Sequence, residues 1–209
     1  MAVPGPAKAA RALAVSAAAL VLLWCVHFRG GLAFISATNK GLIFNVRPRP
    51  LLCKFFPRGC SIRTRALFLG LIGIYAAFKF HNESGIDNLY SLHSWVGLGT
   101  ICLYGIQWLF GLLTFLFLGG APTVRRRMLP WHVRSGLLVY VLAILAAELG
   151  FLEKLTFLQA GGLGRYSTEA LLVNFIALLV VVLGSSVVIY VTAPMHNEHT
   201  HGYSAVHKP

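Results

Sequence analysis

Charge is what this 209-residue chain has least of: 11% of its residues are Asp, Glu, Lys or Arg, and only 6 of those are acidic. With 57% hydrophobic residues and a mean hydropathy of +0.73, too little polar surface remains to cover a water-soluble domain. The chain is therefore read as an all-α integral membrane protein, one helical bundle with no room for a second domain. The shortage of acid also argues against a small transporter, because no buried carboxylate pair or broken helix pair is present. Glu148 is the lone acid inside an apolar span and is expected to bond a neighbouring helix. A formal net charge of +12 would suit nucleic acid, but the basic residues lie in loops between apolar runs, where they report topology. Nucleic acid is thus excluded as a partner, and membrane lipid is the expected surrounding.

Cysteine is equally uninformative as a framework. Cys25 and Cys102 fall inside apolar runs and read as packing residues, while Cys53 and Cys60 share a basic loop without zinc-site spacing. No redox compartment follows from them.

What the chain does have is five apolar stretches, at about 9–28, 66–80, 92–118, 132–152 and 169–193. Four are long enough for the roughly 20 residues that a bilayer crossing takes, and the one at 66–80 is short. Lys8 and Arg11 ahead of the first run resemble the charge order of a signal peptide, but no small-residue cleavage site follows, so a retained span is expected. Between Arg47 and Arg65 there are six basic residues, no acid, and Pro48, Pro50 and Pro57, which predicts an irregular basic segment over 47–65. The run Arg125-Arg126-Arg127 marks its loop as cytoplasmic, with the loops at 81–91 and 153–168 on the other side. Residues 194–209 are expected to form a flexible cytoplasmic tail, whose His196, His199, His201 and His207 read as solvated side chains before they read as a metal site.

Two histidines stand out. His93 opens one apolar stretch in Tyr90-Ser91-Leu92-His93-Ser94-Trp95, and His132 opens the next in Pro130-Trp131-His132-Val133. An ionisable residue at the edge of a span is a functional candidate, and neutral imidazole is a common axial ligand of haem iron. If the two spans are antiparallel, these histidines sit near opposite faces of the membrane, roughly 30 Å apart. One cofactor could not bridge that gap, but one at each face could relay electrons across.

The blocks Lys79-Phe80-His81-Asn82, Asn88 through Trp95, Gln107-Trp108, Gly111, Pro130-Trp131-His132 and Leu152 through Leu158 closely resemble the cytochrome b561 family. The text near Val26 through Ala33, Ile43 through Val46 and Arg165 through Ala170 is similar as well. The resemblance covers about four-fifths of the chain and is strongest to plant vacuolar members. It implies a six-helix bundle holding two b-type haems, each between two histidines. His93 would serve the non-cytoplasmic haem and His132 the cytoplasmic one, as ligands of the metal. Electrons would pass from cytoplasmic ascorbate to monodehydroascorbate or ferric chelates. Arg125 would meet ascorbate, an anion suited to a guanidinium, while His81 and Asn88 would lie on the acceptor side. A vacuolar or other endomembrane location and a homodimer are compatible with the same resemblance.

Two departures bear on that reading. Family members continue Phe-Asn-Val with His-Pro, whereas here Arg47-Pro48 follows Phe44-Asn45-Val46. A guanidinium has no lone pair to give to iron. The stretch from Arg49 to Arg65 then stands where the family has its second helix and the start of its third, including the partner of His132. The expected architecture is therefore a truncated form of the six-helix, two-haem bundle, with four firm spans and a short one. Each haem keeps one expected ligand, and His27 is the other histidine of the first segment. A non-catalytic, truncated membrane protein is the alternative.

Overall fold

The computed structural model describes residues 5–30, 58–117 and 122–193, all helices and short connections. Helix α1 covers Gly5–Leu23 and continues as one wider π turn over Trp24–Phe28. Helix α2 covers Arg58–Ser84, α3 Leu92–Leu112 with a π turn over Leu113–Phe117, α4 Pro122–Ala160, and α5 Thr168–Thr192. Four of these segments, in α1, α3, α4 and α5, are long and apolar enough to cross a membrane, so the chain is an integral multi-pass membrane protein. Side chains such as Trp95, Ile106, Leu178 and Ile189 stay exposed on the helices, which is the outward apolar surface that lipid covers. Backbone groups are meanwhile satisfied within each helix, as hydrocarbon requires.

Among the described residues the helices adjoin in the spatial order α2, α3, α4, α5, α1, and the backbones of α2 and α4 do not approach each other closely. The array is thus an open row, and α2 reaches the rest of the described structure through α3. Its two tight connections use the same chemistry. Gly85 takes a positive φ of 68°, which lets the Ile86 N–H bond the His81 carbonyl at 2.9 Å and close α2. Ser91 then caps α3, its side chain accepting from the Ser94 N–H. The end of α4 repeats this with Gly162 at φ 100°, the Leu163 N–H on the Leu158 carbonyl, and Ser167 capping α5.

Two sequence expectations change. Arg58 through Arg65 are helical and form the start of α2, so the irregular segment predicted for 47–65 does not extend past 57. Residues 47–57 lie outside the described residues, as does the tail at 194–209. Arginine is a good helix former and no proline follows Pro57 before α2 ends, so charge alone was a poor guide to where the helix begins. Likewise Arg125–Arg127 lie within α4, not in a loop, and His132 sits in the third turn of that helix. Pro130 withholds one N–H from the carbonyl of Arg126 without ending the helix. At 39 residues, α4 is about 59 Å long, nearly twice the thickness of the hydrocarbon core, so its charged first turns project beyond the apolar layer.

The end of α1 is tied to the start of α5 by Glu169, which is buried. Its carboxylate accepts from the Trp24 indole N–H at 2.8 Å and the Arg29 Nε–H at 2.6 Å, and also pairs with the second guanidinium nitrogen of Arg29. A negative charge in the first turn of α5 also complements the helix dipole. Around it Trp24, Leu155, Ala170, Val173 and Ile176 form the buried apolar cluster. Glu169→Gln should therefore cost about 2 kcal/mol, the scale of a charge-assisted hydrogen bond, seen as a lower thermal unfolding midpoint in detergent. Lys79→Met, which breaks the partly exposed i,i+4 pair with Glu83, should change stability by less than about 0.5 kcal/mol. Equal midpoints for the two variants would contradict the assigned role of Glu169.

Two histidine cavities on an antiparallel helix pair

The neighbours α3 and α4 each carry one histidine and one glycine 18 residues further on: His93 and Gly111 on α3, His132 and Gly150 on α4. Eighteen residues make about five full turns, or about 27 Å, so each pair lies on one helix face. Because the helices run antiparallel, each histidine meets the other helix's glycine. A Cβ on Gly150 would come within 2.8 Å of His93 Cε1, and a Cβ on Gly111 within 2.8 Å of His132 Cε1. Only a residue without a side chain leaves room for these rings.

Each ring nitrogen Nδ1 is held by the residue 14 positions after the other histidine. His93 Nδ1 lies 2.9 Å from the Ala146 carbonyl oxygen. A carbonyl can only accept, so Nδ1 carries the proton and Nε2 keeps a free lone pair, the arrangement that prepares an imidazole to bind a metal. His132 Nδ1 lies 3.0 Å from Gln107 Nε2, which is also 2.6 Å from the His132 carbonyl oxygen. An amide nitrogen can only donate, so here Nδ1 accepts and the ring proton sits on Nε2. For Nε2 of His132 to offer a lone pair, the Gln107 amide must turn over. The two sites are alike in placement and different in hydrogen bonding.

Each histidine lines its own cavity. The His93 cavity, about 560 Å³, lies between α2, α3 and α4 and is walled by Gly70, Ile74, Phe78, Leu98 and Phe157. Polar groups sit at its mouth: His81, Asn88, Glu153 and Lys154. Glu153 accepts from the Tyr90 hydroxyl at 3.1 Å and from the Ser91 hydroxyl at 3.0 Å, while the Asn88 amide donates to Asn82. Partial desolvation, then the hydrogen bond and charge of Glu153, raise the Tyr90 hydroxyl above the ordinary tyrosine range. The His132 cavity, about 920 Å³, is walled by Trp108, Leu112, Phe115, Leu137 and Tyr140, with Arg63, Thr100, Tyr104 and Gln107 as polar groups beside His132. Phe110 and Phe115 flank the His132 ring at 5.9 and 5.3 Å.

Of the residues singled out in the sequence, His81, Asn88 and His93 come together around one cavity, and His132 stands at the other. Arg125 is exposed in the first turn of α4 and does not line the His132 cavity. His27 is exposed near the end of α1, lines neither cavity and stacks edge-on against Phe28. Among the described residues no three His, Cys, Asp or Glu side chains converge, so donors are offered singly. Gln107 and Gly111 entered the sequence reading only as part of the family resemblance, with no role assigned, and Gly150 and the Ala146 carbonyl not at all, although the repeated 18-residue spacing was readable there.

Residues 60–158 match the family described as eukaryotic cytochrome b561. The chain is 53% identical over 219 residues to the probable ascorbate-specific transmembrane electron transporter 1 of Oryza sativa subsp. japonica, covering 94% of this chain and 93% of that protein. It is 54% identical over 217 residues to the ascorbate-specific transmembrane electron transporter 2 of Zea mays, covering 93% and 92%. Against the transmembrane ascorbate ferrireductase 1 of Arabidopsis thaliana it is 47% identical over 205 residues, covering 88% and 85%. The rice alignment is longer than the chain itself, so parts of that relative face gaps here.

The glycine contacts yield a direct test. Gly150→Ala and Gly111→Ala should each push a histidine ring off its Nδ1 partner and lower the thermal midpoint. Gly99→Ala, where a Cβ meets nothing within 4 Å, should be neutral or stabilising by about 0.5–1 kcal/mol through helix propensity. Similar behaviour of all three variants would remove the case for reciprocal ring cradles.

Proposed function

The chain belongs to the eukaryotic cytochrome b561 family, and on that premise we propose that it carries single electrons from cytoplasmic ascorbate across a membrane, through b-type haem. The acceptor is monodehydroascorbate or a ferric chelate, and a vacuolar or other endomembrane is its location. The observation that carries this reading is the pair of histidine cavities at opposite ends of α3 and α4, with their rings about 27 Å apart along the helices.

The residues present fit haem in part. His93 has its proton committed to the Ala146 carbonyl, a glycine opposite its ring and an apolar cavity in front of it. It would hold one haem through Nε2. His132 has the matching glycine and a larger aromatic-lined cavity, and would hold the other once Gln107 turns its amide over. When bound, haem supplies the one-electron couple. The protein's own part is to orient the two imidazoles and keep water from the cavity walls. It also collects the donor at the α4 N-terminal end, where Arg125 offers an exposed guanidinium to an anion. At the opposite end His81 and Asn88 serve the acceptor, with Lys154 adding positive charge at the same mouth. The arginine-rich start of α4 supports the assignment of that end to the cytoplasm.

A second reading, a truncated and non-catalytic relative, is favoured by three observations. Arg47 stands where the resemblance implies a histidine, the family match begins only at Cys60, and the rice alignment exceeds the length of the chain. Among the described residues, no second imidazole lines the His132 cavity. Reduced-minus-oxidised optical spectra of the purified full chain separate the two readings. The electron-transfer reading expects b-type absorption that ascorbate elicits, with less than two haems per chain and high-spin iron where a single histidine ligates. His93→Ala should remove the larger share of that absorption, because its ring is prepared and that of His132 is not. Arg125→Ala should slow reduction by ascorbate while leaving haem content unchanged. A spectrum without haem absorption would leave the non-catalytic reading standing.

A further inference from the structure

The outer face of α4 carries a stripe of side chains that electron transfer does not use. Arg127, Trp131, Arg134, Leu138, Val141 and Leu145 follow one another at alternating spacings of four and three residues, so they share an arc of about 80° on one side of the helix. All six are exposed, and none lines either cavity. The neighbouring helices meet α4 elsewhere: His132, Gly136 and Gly150 face α3, and Ile144 rests against Gly184 of α5.

This stripe is cationic at one end and apolar along the rest. Arg127 and Arg134 stand seven residues apart, about 11 Å along the helix, with Trp131 between them. The Arg134 guanidinium lies 5.9 Å from the Trp131 ring centroid, a cation–π contact that keeps the two side chains at one level. Among the described residues neither arginine pairs with a carboxylate. The acids of α4, Glu148 and Glu153, lie 14 and 19 residues beyond Arg134, about 21 Å or more along the axis. Glu83, Asp87 and Glu169 sit at the opposite end of the bundle, around the α2–α3 turn and the start of α5. A tryptophan flanked by arginines at the edge of an apolar run marks the level of the lipid headgroups. From there Leu138, Val141 and Leu145 extend over about 11 Å of helix, within the roughly 15 Å of hydrocarbon that one leaflet provides.

We propose that this stripe is a binding site for one anionic phospholipid: Arg127 and Arg134 hold the headgroup phosphate from either side of Trp131, and an acyl chain lies along Leu138, Val141 and Leu145. Guanidinium groups suit a phosphate through charge-assisted, two-pronged hydrogen bonds. A zwitterionic lipid offers the same phosphate but brings its own cation, which the two arginines repel, so a net negative headgroup is selected. Arg126 and Arg125 lie about 100° and 200° around the helix from Arg127, so the site leaves Arg125 free for the electron donor. Nothing in it involves haem, and it stands or falls separately from the electron-transfer reading.

The test is native mass spectrometry of the purified full chain in a neutral detergent, with phosphatidylserine and phosphatidylcholine titrated as probes. Wild type should retain one phosphatidylserine per chain in clear preference to phosphatidylcholine. Arg127→Gln and Arg134→Gln should each weaken that retention about fivefold, and the double variant about 25-fold, on the scale of one basic residue at an anionic surface. Arg126→Gln removes the same charge from the same turn but off the stripe, and should leave retention unchanged. Soluble glycerophosphoserine, which has the headgroup without the chains, should not displace the lipid. Equal retention of the two lipids by wild type overturns the proposal. Equal weakening by Arg126→Gln and Arg127→Gln also overturns it, because the binding then belongs to the diffuse positive charge of this end of the molecule. Displacement by glycerophosphoserine at the concentration of the lipid itself overturns the lipid as occupant and leaves a bare phosphate site.

Discussion

The contact between each histidine ring and a glycine on the facing helix is the constraint on which the rest of the arrangement depends. Imidazole on one helix needs an absent side chain on the other, and this must hold twice, at both ends of one antiparallel pair. A separation of 18 residues satisfies both at once, because about five whole turns return the chain to the same face. Insertion or deletion of a single residue between His93 and Gly111, or between His132 and Gly150, would rotate one member of a pair by about 100° away from the seam. The distance between the sites is set by the same count, so the spacing that cradles the rings also fixes how far apart they stand.

The supporting parts follow from that seam. The glycine turns and serine caps at the ends of α2 and α4 hold the polar mouth of the His93 cavity together, placing Tyr90 and Ser91 against Glu153. The Glu169 cluster secures α1 to α5 on the far side of the row. In contrast, among the described helices α2 packs closely on α3 alone, while its residues share the lining of both cavities with α3 and α4.

The apolar runs located four of the helices, because hydrophobic length is a direct consequence of bilayer thickness. The two histidines were legible for the same reason: a titratable group at the edge of an apolar run is conspicuous. Helix ends were less so. The start of α2 at Arg58 and of α4 at Pro122 lie in arginine-rich text, where charge suggests a loop although arginine is helix-compatible. Gly111, Gly150 and Gln107 carried no chemical signal of their own, and their roles depend on which residue lies across the seam. Reading them in advance would have required comparing spacings between two helices, not inspecting either one. Arg63 illustrates the same limit, since it looked like one charge of a basic segment until α2 placed it in a cavity with His132.

Two half-sites on one helix pair amount to an electron path only if both ends take part in a single transfer. The most direct measurement seals the purified chain in vesicles with ascorbate trapped inside and an impermeant ferric complex outside. The present account predicts reduction of the external complex above the rate of protein-free vesicles, and loss of that excess in both His93→Ala and His132→Ala. Reduction no faster than in empty vesicles, or an excess that survives either substitution, would contradict it.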